Sequence, residues 1–225
     1  GIPHLAGLGN FILTLFSFKV FIALFYIGTI YMIGKIDKNA VIFFALNPLV
    51  IVETLVSGHN DIVMIFFAIV SFYLFFKKRY GLSALAFIGS ILIKFATLFL
   101  IPVFIAMAKD NIIGKKIDKE KAFVYSAGFM FLIFLLSPLR EELYPWYAVW
   151  FVVFTSFLYK NKFLQNLVLV FSFGLMLRYV PYMATGTYFG FTPIVRNLLM
   201  IAPLVLFLIF SWLKIVFPRL LKLLR

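Results

Sequence analysis

No cysteine occurs anywhere in the chain, which excludes disulfides, thiolate metal sites and thiol nucleophiles. Acidic side chains are scarce as well: eight Asp and Glu stand against 21 Lys and Arg, and only 13% of residues are charged. An ordinary soluble domain carries about a quarter charged residues, so that class is excluded. No stretch alternates polar and apolar residues over the roughly ten positions of a membrane strand, which excludes a β-barrel. There is no Walker-type loop, no HExxH motif and no GxSxG elbow. The chain starts at Gly1, without Met and without a basic segment ahead of an apolar one. The expectation is a fragment lacking upstream spans and a first outer loop.

What the chain has in quantity is apolar surface: 64% hydrophobic residues, 20% aromatic, 31 of them Phe. Apolar runs long enough to cross about 30 Å of hydrocarbon recur, so the expected fold is an all-α polytopic bundle of about nine spans. It forms a single transmembrane domain over residues 1–225. A net charge of +13 would suggest nucleic acid in a soluble protein. In a bilayer it is accounted for by loops obeying the positive-inside rule, and no nucleic-acid partner is expected.

The spans follow from that rule. Residues 11–33 end at a basic loop around Lys35 and Lys38, and residues 40–55 lead outward with Pro48 bending the helix. Gly58 turns the chain, Asn60 or Asp61 caps the next helix, and residues 62–76 return to Lys77, Lys78 and Arg79. Residues 81–108 would reach about 42 Å as one helix and would put a basic loop on the outside. Two short arms meeting near Ile93 and Lys94 avoid this, and they spare Lys94 a place in hydrocarbon worth about 2.5–3.5 kcal/mol. Four more spans follow, ending in a basic tail with Lys214, Arg219, Lys222 and Arg225 suited to an anionic inner leaflet. Every Lys and Arg then falls in a cytoplasmic segment except Lys19, Lys94, Arg140, Arg178 and Arg196. Lys19 is read as snorkelling or pairing with another helix. The other four map to the outer ends of spans, where convergence on an anionic ligand is one explanation.

Asn47-Pro48-Leu49, Gly58-His59-Asn60-Asp61, Lys94 followed by Ile101-Pro102, and Pro145-Trp146-Tyr147 with Trp150 occur in that order. This pattern resembles the integral-membrane GT-C glycosyltransferases, in particular bacterial polyprenyl-phosphate-mannose-dependent mannosyltransferases, over residues 40–150. The resemblance implies transfer of a sugar, mannose by this likeness, from a polyprenyl-phosphate donor to a glycan or lipid-linked acceptor. It implies a bacterial plasma-membrane enzyme working on the non-cytoplasmic side, with membrane lipids as partners and no cofactor. It further implies an acidic general base in the first outer loop, upstream of Gly1, with Asp61 a secondary candidate.

Seven residues form the expected substrate site: Glu53, His59, Asn60, Asp61, Lys94, Arg178 and Arg196. Ionisable groups amid apolar spans need a partner or a polar cavity. Lys94 would contact the donor phosphate and stabilise charge on the departing lipid phosphate. Arg178 and Arg196 are similar, whereas Arg140 pairs with Glu141 or Glu142 at the surface. His59, Asn60 and Asp61 serve sugar hydroxyls or merely form a turn and cap. Glu53 divides evenly between structural pairing and substrate contact. A metal held by His59, Asp61 and Glu53 has no recognisable ligand spacing, and none is assigned. Tyr144, Trp146, Tyr147 and Trp150 read first as an interfacial belt and second as a sugar-stacking platform. Rival functions are another lipid-linked glycan enzyme, a ligase or polymerase, and a transporter or flippase of lipid-linked glycans. A transporter would show repeated halves, and no repeat is evident.

Overall fold

A computed structural model describes residues 2–139 and 142–223, with side chains described over 3–216. Arg140 and its proposed partner Glu141 lie outside the described residues, as do the side chains of Arg219, Lys222 and Arg225. The described residues contain helices and no strand. Five helices are long and apolar enough to cross a membrane, six if one bent pair counts as a span, and two shorter apolar helices accompany them. The all-α polytopic expectation is borne out. The chain divides into two compact units, Gly1–Asn161 and Lys162–Arg225.

The first unit begins with α1 (Ile2–Ala6) and α2 (Phe11–Ile36), the latter capped by the Asn10 side chain accepting from the Leu13 amide. α3 (Val41–Ala45) and α4 (Pro48–Ile51) follow. Pro48 cannot donate to a preceding turn, and the chain bends by 67° between residues 38–45 and 48–56. Asn47 restarts the helix: its buried Oδ1 accepts from the amides of Leu49 and Val50 at 3.0 and 3.3 Å. α4 runs into a π-helical turn, Val52–Val56, whose last carbonyl receives the Lys19 ammonium from α2. That contact is the pairing expected of Lys19, a cation at a helix C-terminus.

α5 (Asp61–Phe76) and α6 (Tyr80–Ile93) pack closely, joined by hydroxyl bonds across the helix pair. Ser83 donates to the Ser71 carbonyl and Ser90 to that of Met64, both at 2.8 Å. Such small polar residues let helices approach where no water drives them together. At Lys94 the backbone is extended, φ −157° and ψ 128°, and the helix stops. A 3₁₀ segment, Phe95–Leu100, leads into α7 (Ile101–Ile112), which runs back along α6. Three contacts establish the hairpin: Ser90 to Thr97 near the tip at 3.2 Å, the Phe87 and Phe104 rings midway at 4.6 Å, and Tyr80 Oη to Asn111 Oδ1 at the base at 2.7 Å. The expected pair of short arms with Lys94 at the tip is borne out.

α8 (Lys119–Leu136) leads to a short 3₁₀ turn, Pro145–Ala148, and then to α9 (Val149–Ser156). Every residue of α9 is buried, which marks it as the axis of this unit. Phe72 of α5 is fully buried and touches Phe104, Phe123 and Phe154, so one ring ties the hairpin, α8 and α9 together. At one end of the unit the basic loops meet. Asn39 reaches Tyr159 at 3.3 Å, Lys160 pairs with Glu120 at 3.4 Å, and Lys119 lies over the Phe76 ring at 5.1 Å. The Tyr80–Asn111 clasp belongs to the same end.

The second unit consists of α10 (Lys162–Leu177), α11 (Val180–Thr185) and α12 (Thr192–Leu223). α10 and α12 touch at Gly174, where an added Cβ would run into the Met200 carbonyl oxygen. Only glycine permits that approach.

Candidate functional site

The opposite end of the first unit, away from the basic loops, gathers the ionisable residues of the spans. Asp61 opens α5, where a carboxylate suits the positive end of the helix dipole. It is 1% exposed. Its Oδ1 accepts from the Lys94 ammonium at 2.8 Å and from the indole N–H of Trp150. Its Oδ2 is buried without a hydrogen-bond partner among the described residues. The Lys94 ammonium lies over the Tyr147 ring at 4.5 Å and the Trp150 ring at 5.4 Å. Ion pair and aromatic faces together hold the cation at the tip of the hairpin while about a third of its side chain stays open.

Beside it stands a second cluster. Glu53, fully buried on the π-helical turn, faces His59 with 3.5 Å between Oε2 and Nε2. The His59 amide also donates to the Glu53 carbonyl at 3.0 Å, so backbone and side chain of the two residues are joined. A π-turn widens the helix by one residue and often marks functional positions. His59 stacks on Trp146 with centroids 4.0 Å apart, and Trp146 stacks on Tyr144 at 4.3 Å. Burial holds the His59 imidazole below its ordinary value; the Lys94 and Lys19 charges push the same way and Asp61 opposes.

Gly58 makes this turn possible. Its φ is +80°, and a Cβ there would meet Phe18 at 3.2 Å and the Lys19 ammonium at 3.4 Å. Gly58→Ala is expected to destabilise the protein by about 1–2 kcal/mol, the penalty of a side chain in the left-handed region. Denaturant unfolding in detergent reads this, and an unchanged transition would show that the turn tolerates a side chain.

Five of the seven expected site residues therefore fall at this end. Glu53 meets His59, and Asp61 meets Lys94. Asn60 is exposed beside Asp61, and its side chain makes no cap hydrogen bond. The expectation of a cap is corrected. Of the two expected caps, neither makes a cap hydrogen bond among the described residues: the Asn60 side chain makes none, and Asp61 turns Oδ1 to Lys94 and Trp150. Arg178 and Arg196 belong to the second unit. Arg178 follows the end of α10 and is 7% exposed, its guanidinium 4.0 Å from the Met200 sulfur on α12; Arg196 is half-buried one turn earlier on that helix. A second correction concerns the aromatics. Tyr147 and Trp150 are buried against Lys94 and Asp61 and do not form an interfacial belt. With His59 and Tyr144 stacked on it, Trp146 offers no open face to a sugar. The Trp150–Asp61 bond links positions 89 apart, and no spacing in the sequence announces it.

An open apolar cavity of about 610 Å³ adjoins the cluster, lined by Pro3, Phe11, Phe18, Val63, Asn60 and Ile93 among others. The last two are the chain neighbours of Asp61 and Lys94. No group of three His, Asp or Glu side chains suited to a metal is found among the described residues.

Residues 12–110 match the protein family described as Alpha-(1->6)-mannopyranosyltransferase, N-terminal domain. The matched stretch holds Asn47, Glu53, His59, Asn60, Asp61 and Lys94; Trp146, Trp150 and the second unit follow it. No curated protein and no solved structure matches the chain.

Proposed function

We propose, from the match of residues 12–110 to a mannosyltransferase domain family and the apolar helices around it, that the chain moves mannose from a polyprenyl-phosphate donor to an acceptor hydroxyl on the non-cytoplasmic face. The single observation that carries this reading is Lys94, an ammonium held at a helix break by a buried carboxylate and two aromatic faces. In the resting site Asp61 neutralises it. A donor phosphate takes over that ammonium, and as the bond from phosphate to the anomeric carbon breaks, Lys94 stabilises the charge that collects on the leaving oxygen. Arg178 and Arg196 are proposed as substrate contacts of the second unit, taken by itself. Trp150 and Asp61 act through Lys94, as positioning residues.

Two further observations support the reading. The apolar cavity beside Asn60 and Ile93 suits the hydrocarbon of a lipid donor whose phosphate lies at Lys94. The basic loops gather at the far end, which by the positive-inside rule faces the cytoplasm. Orientation is directly testable, because a chain without cysteine gives no labelling background. Ser57→Cys and Glu142→Cys should react with an impermeant maleimide on intact cells. Lys78→Cys and Lys116→Cys should react only after permeabilisation. The reverse pattern would invert the orientation and remove the site from the outer face.

The activity itself is tested in liposomes carrying the full chain, polyprenyl-phosphate mannose and an α-mannoside acceptor. Mannose is expected on the acceptor and free polyprenyl phosphate in the membrane. Intact donor after prolonged incubation would refute the proposal.

A further inference from the structure

At the end of the first unit away from Lys94, one corner concentrates positive charge. Lys77, Lys78 and Arg79 form the turn between α5 and α6, and Lys119 and Lys121 stand in the first turn of α8. All five are exposed. The two elements meet here: Lys119 lies over the Phe76 ring at 5.1 Å, and Phe76 packs edge-on against Phe123 at 5.9 Å. The acids flanking Lys119 are both engaged. Asp118 accepts from the Lys121 amide at 3.1 Å, and Glu120 pairs with Lys160 at 3.4 Å.

Orientation in a bilayer asks only that these loops be basic, not where in each loop a cation stands. Here the placement works against the local backbone. The amides of Lys78 and Arg79 return to the Phe75 and Leu74 carbonyls, both at 2.9 Å, and this closure holds Lys78 at φ +59°. Glycine is the usual residue there, because a β-carbon disfavours the left-handed region. Lys119 and Lys121 occupy the positive end of the α8 dipole, where cations are the disfavoured sign. A bound anion would reverse the second cost and give a use to the first. Two aromatic pairs set the depth of the corner: Lys77 lies over Tyr73 at 5.9 Å and Lys121 over Tyr125 at 5.8 Å. Tyrosine beside lysine at a helix end is the anchor pattern of the lipid headgroup layer.

We infer that this corner is a binding surface for the anionic phospholipid headgroups of the leaflet at that end. Lys78 and Arg79 from one element and Lys119 and Lys121 from another supply the cations, so a bound lipid ties the α5–α6 turn to the start of α8. A soluble anion would use the ammonium groups alone. A lipid uses both parts of the corner, the ammonium groups for its phosphate and the tyrosine rings beside its glycerol and upper acyl chain. The surface needs the chain in a bilayer and nothing from mannosyl transfer, so either can fail without the other.

The test places the full chain in nanodiscs of phosphatidylcholine, alone or mixed with phosphatidylglycerol, and reads thermal unfolding and the retention of spin-labelled lipid. The wild type should hold phosphatidylglycerol about fivefold more strongly than phosphatidylcholine, the scale of one basic residue at an anionic surface, and should melt higher in the mixture. High salt should erase both gains. Lys78→Gly, and Lys119→Gln with Lys121→Gln, should each melt above wild type in phosphatidylcholine, because they relieve the local costs. In the mixture the same variants should show reduced selectivity and a smaller rise in melting. Lys35→Gln with Lys38→Gln removes two charges at the loop after α2 and should keep the selectivity. Inorganic phosphate added to phosphatidylcholine nanodiscs should leave melting unchanged. Equal retention of the two lipids by the wild type overturns the proposal, as does undiminished selectivity in the corner variants. An equal loss in the α2-loop variant, or a rise in melting with inorganic phosphate, overturns it too.

Discussion

Lys94→Met should abolish mannosyl transfer and destabilise the first unit by about 3 kcal/mol, the lower end of the range for a broken buried ion pair, because the ammonium is partly open. On the proposed function, the loss of activity reflects the missing contact to the donor phosphate. The loss of stability arises elsewhere: Asp61 is left buried with only the Trp150 indole to satisfy it. Removing both charges separates these effects. In Lys94→Met with Asp61→Leu no buried carboxylate remains, so most of the stability should return while transfer stays absent. Denaturant unfolding in detergent and the liposome assay read the two quantities side by side. A double variant that recovers transfer would show that Lys94 serves the fold and not the substrate.

Phe72→Ala should be the most damaging single change away from the site, by about 3–5 kcal/mol. The ring is fully buried, and its partners Phe104, Phe123 and Phe154 sit on α7, α8 and α9. Lipid cannot fill a void at that junction, so the lost dispersion contacts are not replaced. Activity should fall with stability, since α9 carries Trp150 and the hairpin carries Lys94. Phe72→Leu, which refills most of the volume, should recover much of both. Equal melting of Phe72→Ala and wild type would place the core elsewhere.

Much of this fold could be read before any coordinates, and for identifiable reasons. The hairpin was legible because charge parity on either side of residues 81–108 allowed no single crossing. The bend at Pro48 was legible because a missing amide has one local consequence. Lys19 was legible as a paired cation, although its partner, the Val56 carbonyl, was not. What escaped is tertiary. Trp150 reads as a membrane-interface residue until the fold brings its N–H to Asp61. Asn60 reads as a cap, yet its side chain makes no cap bond. The π-turn at Glu53 leaves no mark in composition, because one extra residue per turn changes spacing by less than sequence periodicity resolves. At the site, the residues were identifiable one by one as polar groups out of place in hydrocarbon. Their pairing, Glu53 with His59 and Asp61 with Lys94, was not, since pairing depends on which side of each helix break a side chain emerges.

The short first arm of the hairpin, α6, has a consequence for where the proposed chemistry would take place. An α-helix of 14 residues such as α6 rises about 21 Å, short of the roughly 30 Å hydrocarbon slab. With its base among the basic loops and those loops at one lipid surface, as proposed, its tip halts some way beneath the distal headgroups. On the proposed orientation, water must descend to that depth to solvate the ammonium, and the proposed reaction centre is a recessed well. The proposed carrier lipid would deliver its phosphate there by sinking a few ångströms, while a bulky hydrophilic acceptor would extend a hydroxyl downward. Turnover should therefore depend on bilayer thickness, fastest where thin acyl chains make the well shallow.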